Sequence, residues 1–377
     1  MKSIFSLVNL PTVPVDLMKT LQIFFETGSK NSKVLFEQLY TDRWFDYNLP
    51  QMDLTVDALM ASYNVRFMAT IIGNDSGTPT RPSEGFKTFS GEIPRMGHKF
   101  PMTAKKLRKM MSVLEGNRYT DQQKFNEVYK ILMGDVSEAY LGCKDTSDHI
   151  VLKALSNGGV ASFTPTIDNP EGIAYNVDYR MPDRNKLQAN KNWTDNNAGT
   201  VSVFDELMKV KYQFSSYGIE FGEILCSPQL YYWILNSPSV RKAIKGTSKS
   251  EQPVTAEEFN NMLRQCELPT FTKIVKKSAI AKDGKRSAEL INPWNDNMLV
   301  FKPAGKIGEV QPAFEDNAII PEPDVQYTDA GHGMRIAKWQ VGESTGQKAG
   351  EYTQASWRAL PIITEIDGIV NYQVRGI

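Results

Sequence analysis

The stretch Tyr63–Met102 constrains the fold more than any other part of the chain. It reads as a β-structured arm too polar and too punctuated to hold a core of its own. Val65, Phe67, Ala69 and Ile71 alternate with Arg66, Met68 and Thr70, the period of a half-buried strand. Gly73, Gly77, Pro79, Pro82, Gly85, Gly91, Pro94, Gly97 and Pro101 then follow in quick succession. Such spacing interrupts any helix and confines strands to short edge or hairpin pieces. Arg81, Lys87, Arg95 and Lys99 make the arm basic. Two readings stand at this point: a long mobile surface hairpin, or a surface made to lie across a neighbouring subunit.

Composition narrows the class. A chain of 377 residues with 41% hydrophobic content can bury conventional cores in two or three domains. Lysine plus arginine equals aspartate plus glutamate at 43 each, so there is no overall basic field of the kind that marks a dedicated nucleic-acid binder. Cys143, Cys226 and Cys266 have no short-range pairing and no C-x-x-C spacing, which suits a reducing compartment. The opening MKSIFSLVNL lacks a signal-peptide cleavage pattern, and no apolar run approaches the roughly 20 residues of a membrane span.

Along the chain, Pro14 sets the first turn of an amphipathic helix with the stripe Leu17, Leu21, Phe24 and Phe25, stopped by Gly28. Residues 34–57 are aromatic and read as extended. Thr103–Leu114 is a short basic helix. Asp121 starts a long one, with Phe125, Val128, Leu132, Val136, Ala139 and Cys143 at steps of three and four, extending to Leu155. Gly134 and Gly142 weaken it by about 1 kcal/mol each relative to alanine and point to bending. The Asn-, Asp- and Gly-rich run 183–199 reads as lying near a domain boundary. Val201–Phe214 is helical and Glu223–Cys226 a strand. Ser227 caps a helix that starts at Pro228 and runs past Pro238 to Ile244, and Thr255 with Glu258 forms a capping box. Phe271–Val310 reads as strand-turn-strand around an Asp283-Gly284 hairpin turn. Gln311–Gly350 reads as loop-rich, and Trp357–Val374 closes in β-type runs.

In this order the features resemble the major capsid proteins of tailed bacteriophages, most nearly the lambda-like capsid protein E group. The resemblance rests on Leu21-Gln22-Ile23-Phe24-Phe25 in the N-terminal helix, on Gly85, Phe86, Pro94 and Pro101 between Arg81 and Lys106, and on the helix 121–155. Asn192-Trp193-Thr194, Ile224-Leu225-Cys226-Ser227-Pro228 with Trp233, Ser239-Val240-Arg241-Lys242-Ala243-Ile244, and Ala359-Leu360-Pro361-Ile362-Ile363 with Ile366-Asp367 and Val370 complete it. It implies an α+β chain with the Hong Kong-type capsid fold. The expected divisions are an N-terminal arm at 1–62, an extended E-loop at 63–102 and a P-domain with a spine helix at 103–200. An A-domain at 201–340, with a loop-rich P-loop region near 311–350, precedes C-terminal strands at 341–377.

The implied function is structural: hexamers and pentamers closing an icosahedral head shell around phage DNA, assembled in the host bacterial cytoplasm. Expected partners are other copies of the chain, a separate scaffolding protein, a portal protein, a decoration protein in some shells, and packaged DNA through non-specific inner-surface contact, with no membrane. The scaffolding protein is expected to be separate because only about 60 residues precede the arm. Arg66, Arg81, Phe86, Lys87, Phe89, Arg95 and Lys99 are the candidate intersubunit contacts. The lambda-like group does without the lysine–asparagine cross-link of some capsids of this fold, so none is expected.

Catalytic chemistry finds little support in the residues. His98, His149 and His332 lack metal-ligand spacing, Ser227-Pro228 lacks the Gly-x-Ser-x-Gly elbow, and the cysteines lack a nucleophile context. Gly284-Lys285-Arg286-Ser287 and Gly305-Lys306 are incomplete as phosphate loops and read as turns. No catalytic residue, cofactor or metal is expected. Two rival readings remain: an encapsulin-type compartment shell with the same fold, and, from another class, a cytoplasmic α/β enzyme with a convergent site that the sequence does not display.

Overall fold

The computed structural model describes residues 39–60, 88–102, 104–116, 119–169, 172–276, 278–282, 285–341 and 350–376. The N-terminal helix expected at 14–28, the arm residues Arg66, Arg81, Phe86 and Lys87, and the turn Asp283-Gly284 lie outside the described residues. In chain order the elements begin with α1 (Tyr40–Trp44), β1 (Phe45–Tyr47), β2 (Thr55–Leu59), β3 (Thr88–Glu92), β4 (Arg95–Met102), α2 (Ala104–Glu115) and α3 (Asp121–Ser156). Next are β5 (Val160–Phe163), β6 (Tyr175–Asp178), β7 (Lys186–Gln188), α4 (Val203–Ser215), β8 (Glu223–Cys226), α5 (Pro228–Asn236), α6 (Pro238–Lys245) and α7 (Ala256–Gln265). The rest are β9 (Thr270–Lys273), β10 (Ser278–Lys282), β11 (Lys285–Ile291), β12 (Met298–Lys302), β13 (Gly308–Ala313), α8 (Asp316–Ile319), β14 (Gln326–Asp329), β15 (Arg335–Val341), β16 (Gly350–Ile362) and β17 (Val370–Gln373).

Contacts divide the chain into two units. The first comprises Met1–Val56, Gly91–His149 and Glu309–Pro361. Its sheet runs β1-β13-β16-β15-β14, with β4 also pairing β16. The frame is β16, antiparallel to β15 from Gly350 to Ser356 and to β4 from Glu351 to Arg358. Of these strands only β4 lies far away in sequence; β15 and β16 are consecutive. The stretch 311–350, expected to be loop-rich, instead holds β13, β14 and β15. Pro312, Pro321, Pro323, Gly331 and Gly333 punctuate it as loops do, yet β14 pairs with β15 and β15 with β16 as consecutive antiparallel strands.

The long helix is continuous from Asp121 to Ser156, and in its stripe Val128, Val136, Ala139 and Cys143 are buried. Gly142 serves contact rather than bending, because a Cβ added there would overlap the His98 ring of β4. Gly134 has open space around it. Residues 39–47 are not simply extended. Asp148 of α3 is fully buried and accepts from the amides of Tyr40 (3.0 Å) and Thr41 (2.7 Å) and from the Thr41 hydroxyl (2.5 Å). It thereby supplies from a distant helix the oxygen that α1 lacks at its own cap residue, Leu39.

The second unit comprises Asp57–Ser90, Ile150–Gly308 and Ile362–Ile377. Its sheet runs β7-β17-β12-β8-β9, with β8 parallel to β9, β17 parallel to β7, and β12 antiparallel to both β8 and β17. Helices α4, α5 and α7 bury Leu207, Phe214, Leu230, Ile234, Phe259 and Leu263 in one cluster with Ile224, Leu299 and Phe301 of the sheet. Local signals set their ends. The Ser227 hydroxyl accepts from the Leu230 amide ahead of Pro228, and Thr255 with Glu258 completes a capping box. The helix expected to run past Pro238 is two helices, because Ser237 is extended (φ −59°, ψ 133°) as a residue before proline prefers.

The polar run 183–199 falls inside this unit and carries β7 and the turns that seat Trp193. Trp193 is fully buried, stacks 5.8 Å from Trp233, and donates from Nε1 to Glu206 (2.9 Å), which also accepts from the Tyr372 hydroxyl (2.6 Å). Both tryptophan N–H groups are satisfied, since Trp233 donates to Asp195 at 3.0 Å. Strands β10 and β11 form a separate two-stranded ribbon, as expected of this segment.

Candidate intersubunit surface

Within the first unit, β4 lies at the C-terminal end of the stretch 63–102 that the sequence reading expects to form an arm. Among the described residues it pairs only with β16, so its second edge carries no strand. Its inward side chains are Met96 and Met102, both buried, and the Met96 carbonyl lies 3.9 Å from the Cys143 thiol. Its charged residues face outward, as on edge strands protected against indiscriminate pairing. Arg95 reaches back to Glu315, Nε to carboxylate 3.0 Å, where Glu315 is buried and Arg95 half-exposed. Burial raises the Glu315 carboxyl above its ordinary value, with Arg95 and Arg358 opposing that rise. Lys99 stands over the rings of Tyr352 (4.5 Å) and Trp339 (5.2 Å), which stack on each other across β16 and β15.

The candidate residues therefore divide. Lys99 and half-exposed Arg95 lie on the outer side of β4. Phe89 does not lie on a free surface: it is buried in the second unit and stacks 5.1 Å from Tyr179, so its ring is already covered by its own chain. A phenylalanine flanked by polar residues on an arm reads as an anchor for a neighbour, and only the three-dimensional packing reveals that the chain fills this role itself.

Sequence reasoning missed the support beneath β4. Lys144 of α3 is almost fully buried, 3.2 Å from Asp42 and 2.7 Å from the Tyr47 hydroxyl, with its ammonium 4.1 Å from the Tyr47 ring and 5.0 Å from the Trp357 ring. Burial lowers the lysine below its ordinary value, with the Asp42 carboxylate opposing it. Tyr47 stacks 4.3 Å from His332, a non-glycine residue at φ 50°, whose carbonyl accepts from Trp357 Nε1 at 2.8 Å. A lysine flanked by polar residues in a helix resembles a solvated face, so no one-dimensional signal finds this cluster.

The chemistry available is that of packing. Burial pushes the Cys143 and Cys226 thiols up to about 12, which leaves them almost wholly protonated and poor as nucleophiles near neutral pH. Among the described residues no group of three or more His, Cys, Asp or Glu side chains could hold a metal ion, and no helix is long and apolar enough to cross a membrane.

Comparison with known proteins agrees with this architecture. The family described as phage major capsid protein E matches residues 63–374. Among solved structures, a prophage protein of Escherichia coli CFT073 described as a capsid protein superposes with a TM-score of 0.58 at 12% identity, covering 95% of this chain and 98% of the other. A phage-related protein of Bordetella bronchiseptica RB50 gives 0.48 at 11% identity over 96% and 98%. The capsid of the myovirus XM1 gives 0.44 at 9% over 89% and 91%. No curated protein matches the sequence. The mixed helix-and-strand architecture is that of the Hong Kong-type phage capsid fold, as the prophage superposition shows. With most of its length matched by that family, the chain belongs to the phage major capsid protein E family, whose members are structural shell proteins rather than enzymes.

Proposed function

We propose that copies of this capsid protein assemble as hexamers and pentamers into the icosahedral head shell that encloses phage DNA. The observation that carries the reading is the family match over residues 63–374. The arm then has a physical purpose. Residues 63–102 would lie on the adjacent subunit, and modest contacts repeated around closed symmetry would add up to collective stability. Lys99 and Arg95 on β4, together with Arg66, Arg81, Phe86 and Lys87, would supply the contact chemistry, while Phe89 packs on Tyr179 of its own chain. Assembly in the host bacterial cytoplasm would draw on a separate scaffolding protein and a portal protein, leave room for a decoration protein, and bring packaged DNA against the inner surface without sequence preference.

Negative-stain microscopy of the purified protein tests this reading. Closed shells, tubes or ring-shaped capsomers support it. A monodisperse monomer at micromolar concentration, alone and with its scaffolding partner, would overturn it.

A further inference from the structure

The first unit carries a run of cations that its own fold leaves unneutralised. Helix α2 holds Lys105, Lys106, Arg108 and Lys109 against a single acid, Glu115, in a chain whose formal net charge is zero. Its other side is anchored: Met110 is fully buried, and Lys106 reaches Asp135 of α3 at 2.7 Å. Lys105, Arg108 and Lys109 are exposed, and among the described residues none of the three has an ion-pair partner. At steps of three and four they share one face with exposed Ser112, whose hydroxyl donates back to the Lys109 carbonyl at 2.8 Å. Helix stability does not account for them. No acid occupies the first turn, where a lysine opposes the helix dipole, and like charges at Lys105 and Lys109 repel across one turn.

We propose that this face of α2 binds the phosphate backbone of duplex DNA without regard to sequence. The helical rise sets Lys105 and Lys109 about 6 Å apart along the axis, so the three long side chains can track consecutive phosphates of one strand. A protein partner fits less well. Protein interfaces are depleted of lysine and centre on apolar groups, whereas the only large apolar side chain that α2 exposes is Met111, 45% open to solvent. Nucleic-acid interfaces are polar and strongly positive. The helix has no aromatic side chain on which an unpaired base could stack, which favours duplex over single strand. The site rests on the reading of a shell closed around DNA, and it gives that DNA a defined contact on each copy. The rival basic element is the β10–β11 ribbon, where Lys282 stands opposite Lys285 in register.

The test follows binding of the full-length chain to a fluorescent duplex of about 30 base pairs by anisotropy, as salt rises from about 50 to 200 mM. Neutralising three phosphates predicts a log–log salt slope of about −2.7 for each engaged copy, a loss of about 40-fold over that range. The Lys105→Gln, Arg108→Gln, Lys109→Gln variant should bind at least about tenfold more weakly at the lowest salt and lose about 2.7 from the slope, with a circular dichroism melt no lower than the parent's. Lys105→Arg with Lys109→Arg keeps the charges and should bind as the parent does. Several outcomes would overturn the proposal: no DNA binding by the parent, a slope shared by parent and triple variant, or loss of binding in the charge-keeping variant. So would binding that depends on Lys282→Gln, Lys285→Gln in the ribbon but not on α2, or competition by poly-L-glutamate as strong as by DNA at equal charge, which would assign the face to an acidic protein segment. Microscopy of the same samples separates the two readings. Shells from a chain whose DNA binding ignores α2 refute the site alone, and α2-dependent binding without shells refutes the shell reading alone.

Discussion

Two glycines in one helix should respond to alanine with opposite tendencies. In an open helical position the exchange stabilises by about 1 kcal/mol, through lost unfolded-state entropy and a better helical preference. Gly134 is such a position, with nothing within 4 Å of an added Cβ, so Gly134→Ala should gain that amount. At Gly142 the same Cβ would overlap the His98 ring, the nearest atoms being Cδ2 and Nε2. His98 sits on β4, opposite Ala355 of β16, so its backbone cannot retreat without breaking the ladder. The ring itself must swing away, giving up its packing on α3 and its neighbour Phe100 at 5.9 Å. Overpacking of this kind costs about 1–3 kcal/mol, which cancels the propensity gain or exceeds it by up to about 2 kcal/mol. In a His98→Ala background the obstruction is gone, and Gly142→Ala should recover its gain of about 1 kcal/mol, a coupling of about 1–3 kcal/mol between the two sites. Urea unfolding followed by far-ultraviolet circular dichroism reads all the variants. A Gly142→Ala protein as stabilised as Gly134→Ala, or a coupling below about 0.5 kcal/mol, would refute the idea that His98 dictates this glycine.

Other outcomes follow from buried groups. Asp148→Ala leaves the Tyr40 and Thr41 amides without their acceptor and should cost about 3 kcal/mol, with hydrogen exchange at those two amides accelerating first; unchanged protection there would show that α1 does not depend on the staple. Val136→Asp places a carboxylate at a fully buried position of α3 and should destabilise by several kcal/mol, so wild-type stability and shell yield would contradict the buried assignment. His98 and His332 are both lowered from the ordinary imidazole value, chiefly by burial, with Lys144 adding to the effect at His332 and nearby carboxylates opposing it at both. The unfolded chain then binds more protons, so stability is held above the unfolded value of about 6.5 and declines as pH falls through it toward the depressed folded values. A His98→Gln, His332→Gln variant should show a shallower decline between about pH 7 and 5, and an identical slope would count against the two imidazoles. Boiled, denatured particles should run as a single monomer band, whereas a ladder would reveal the covalent joining that the lambda-like group lacks.

How much was legible depends on the range of each signal. The stripe on α3, the proline-led cap of α5, the capping box of α7 and the β10–β11 ribbon are written within a few residues, and the structure places them close to where the sequence does. The family resemblance belongs with these, since it rests on the order of such elements. Residues 95–102, at the end of the stretch expected to form an arm, make strand β4, while Arg66, Arg81, Phe86 and Lys87 lie outside the described residues. Phe89 has the same polar neighbours whether it anchors a partner or packs on Tyr179, and sequence cannot distinguish those outcomes.

The local spacing of apolar residues, caps and turn residues by itself determined where most helices lie and that the chain is α+β. Tertiary structure alone decided which strands meet. β4 meets β16 across a long separation, whereas β14, β15 and β16 pair in chain order, so that an apparent loop region is sheet. It also decided which polar groups are buried: Asp148 caps a helix more than a hundred residues away in sequence (|i−j| = 107), and Lys144 sits between Tyr47 and Trp357. The reason is physical. Helix ends and periodicity are set by interactions within one or two turns, whereas the fate of an edge, a buried charge or a glycine depends on a neighbour that only the folded chain brings into contact.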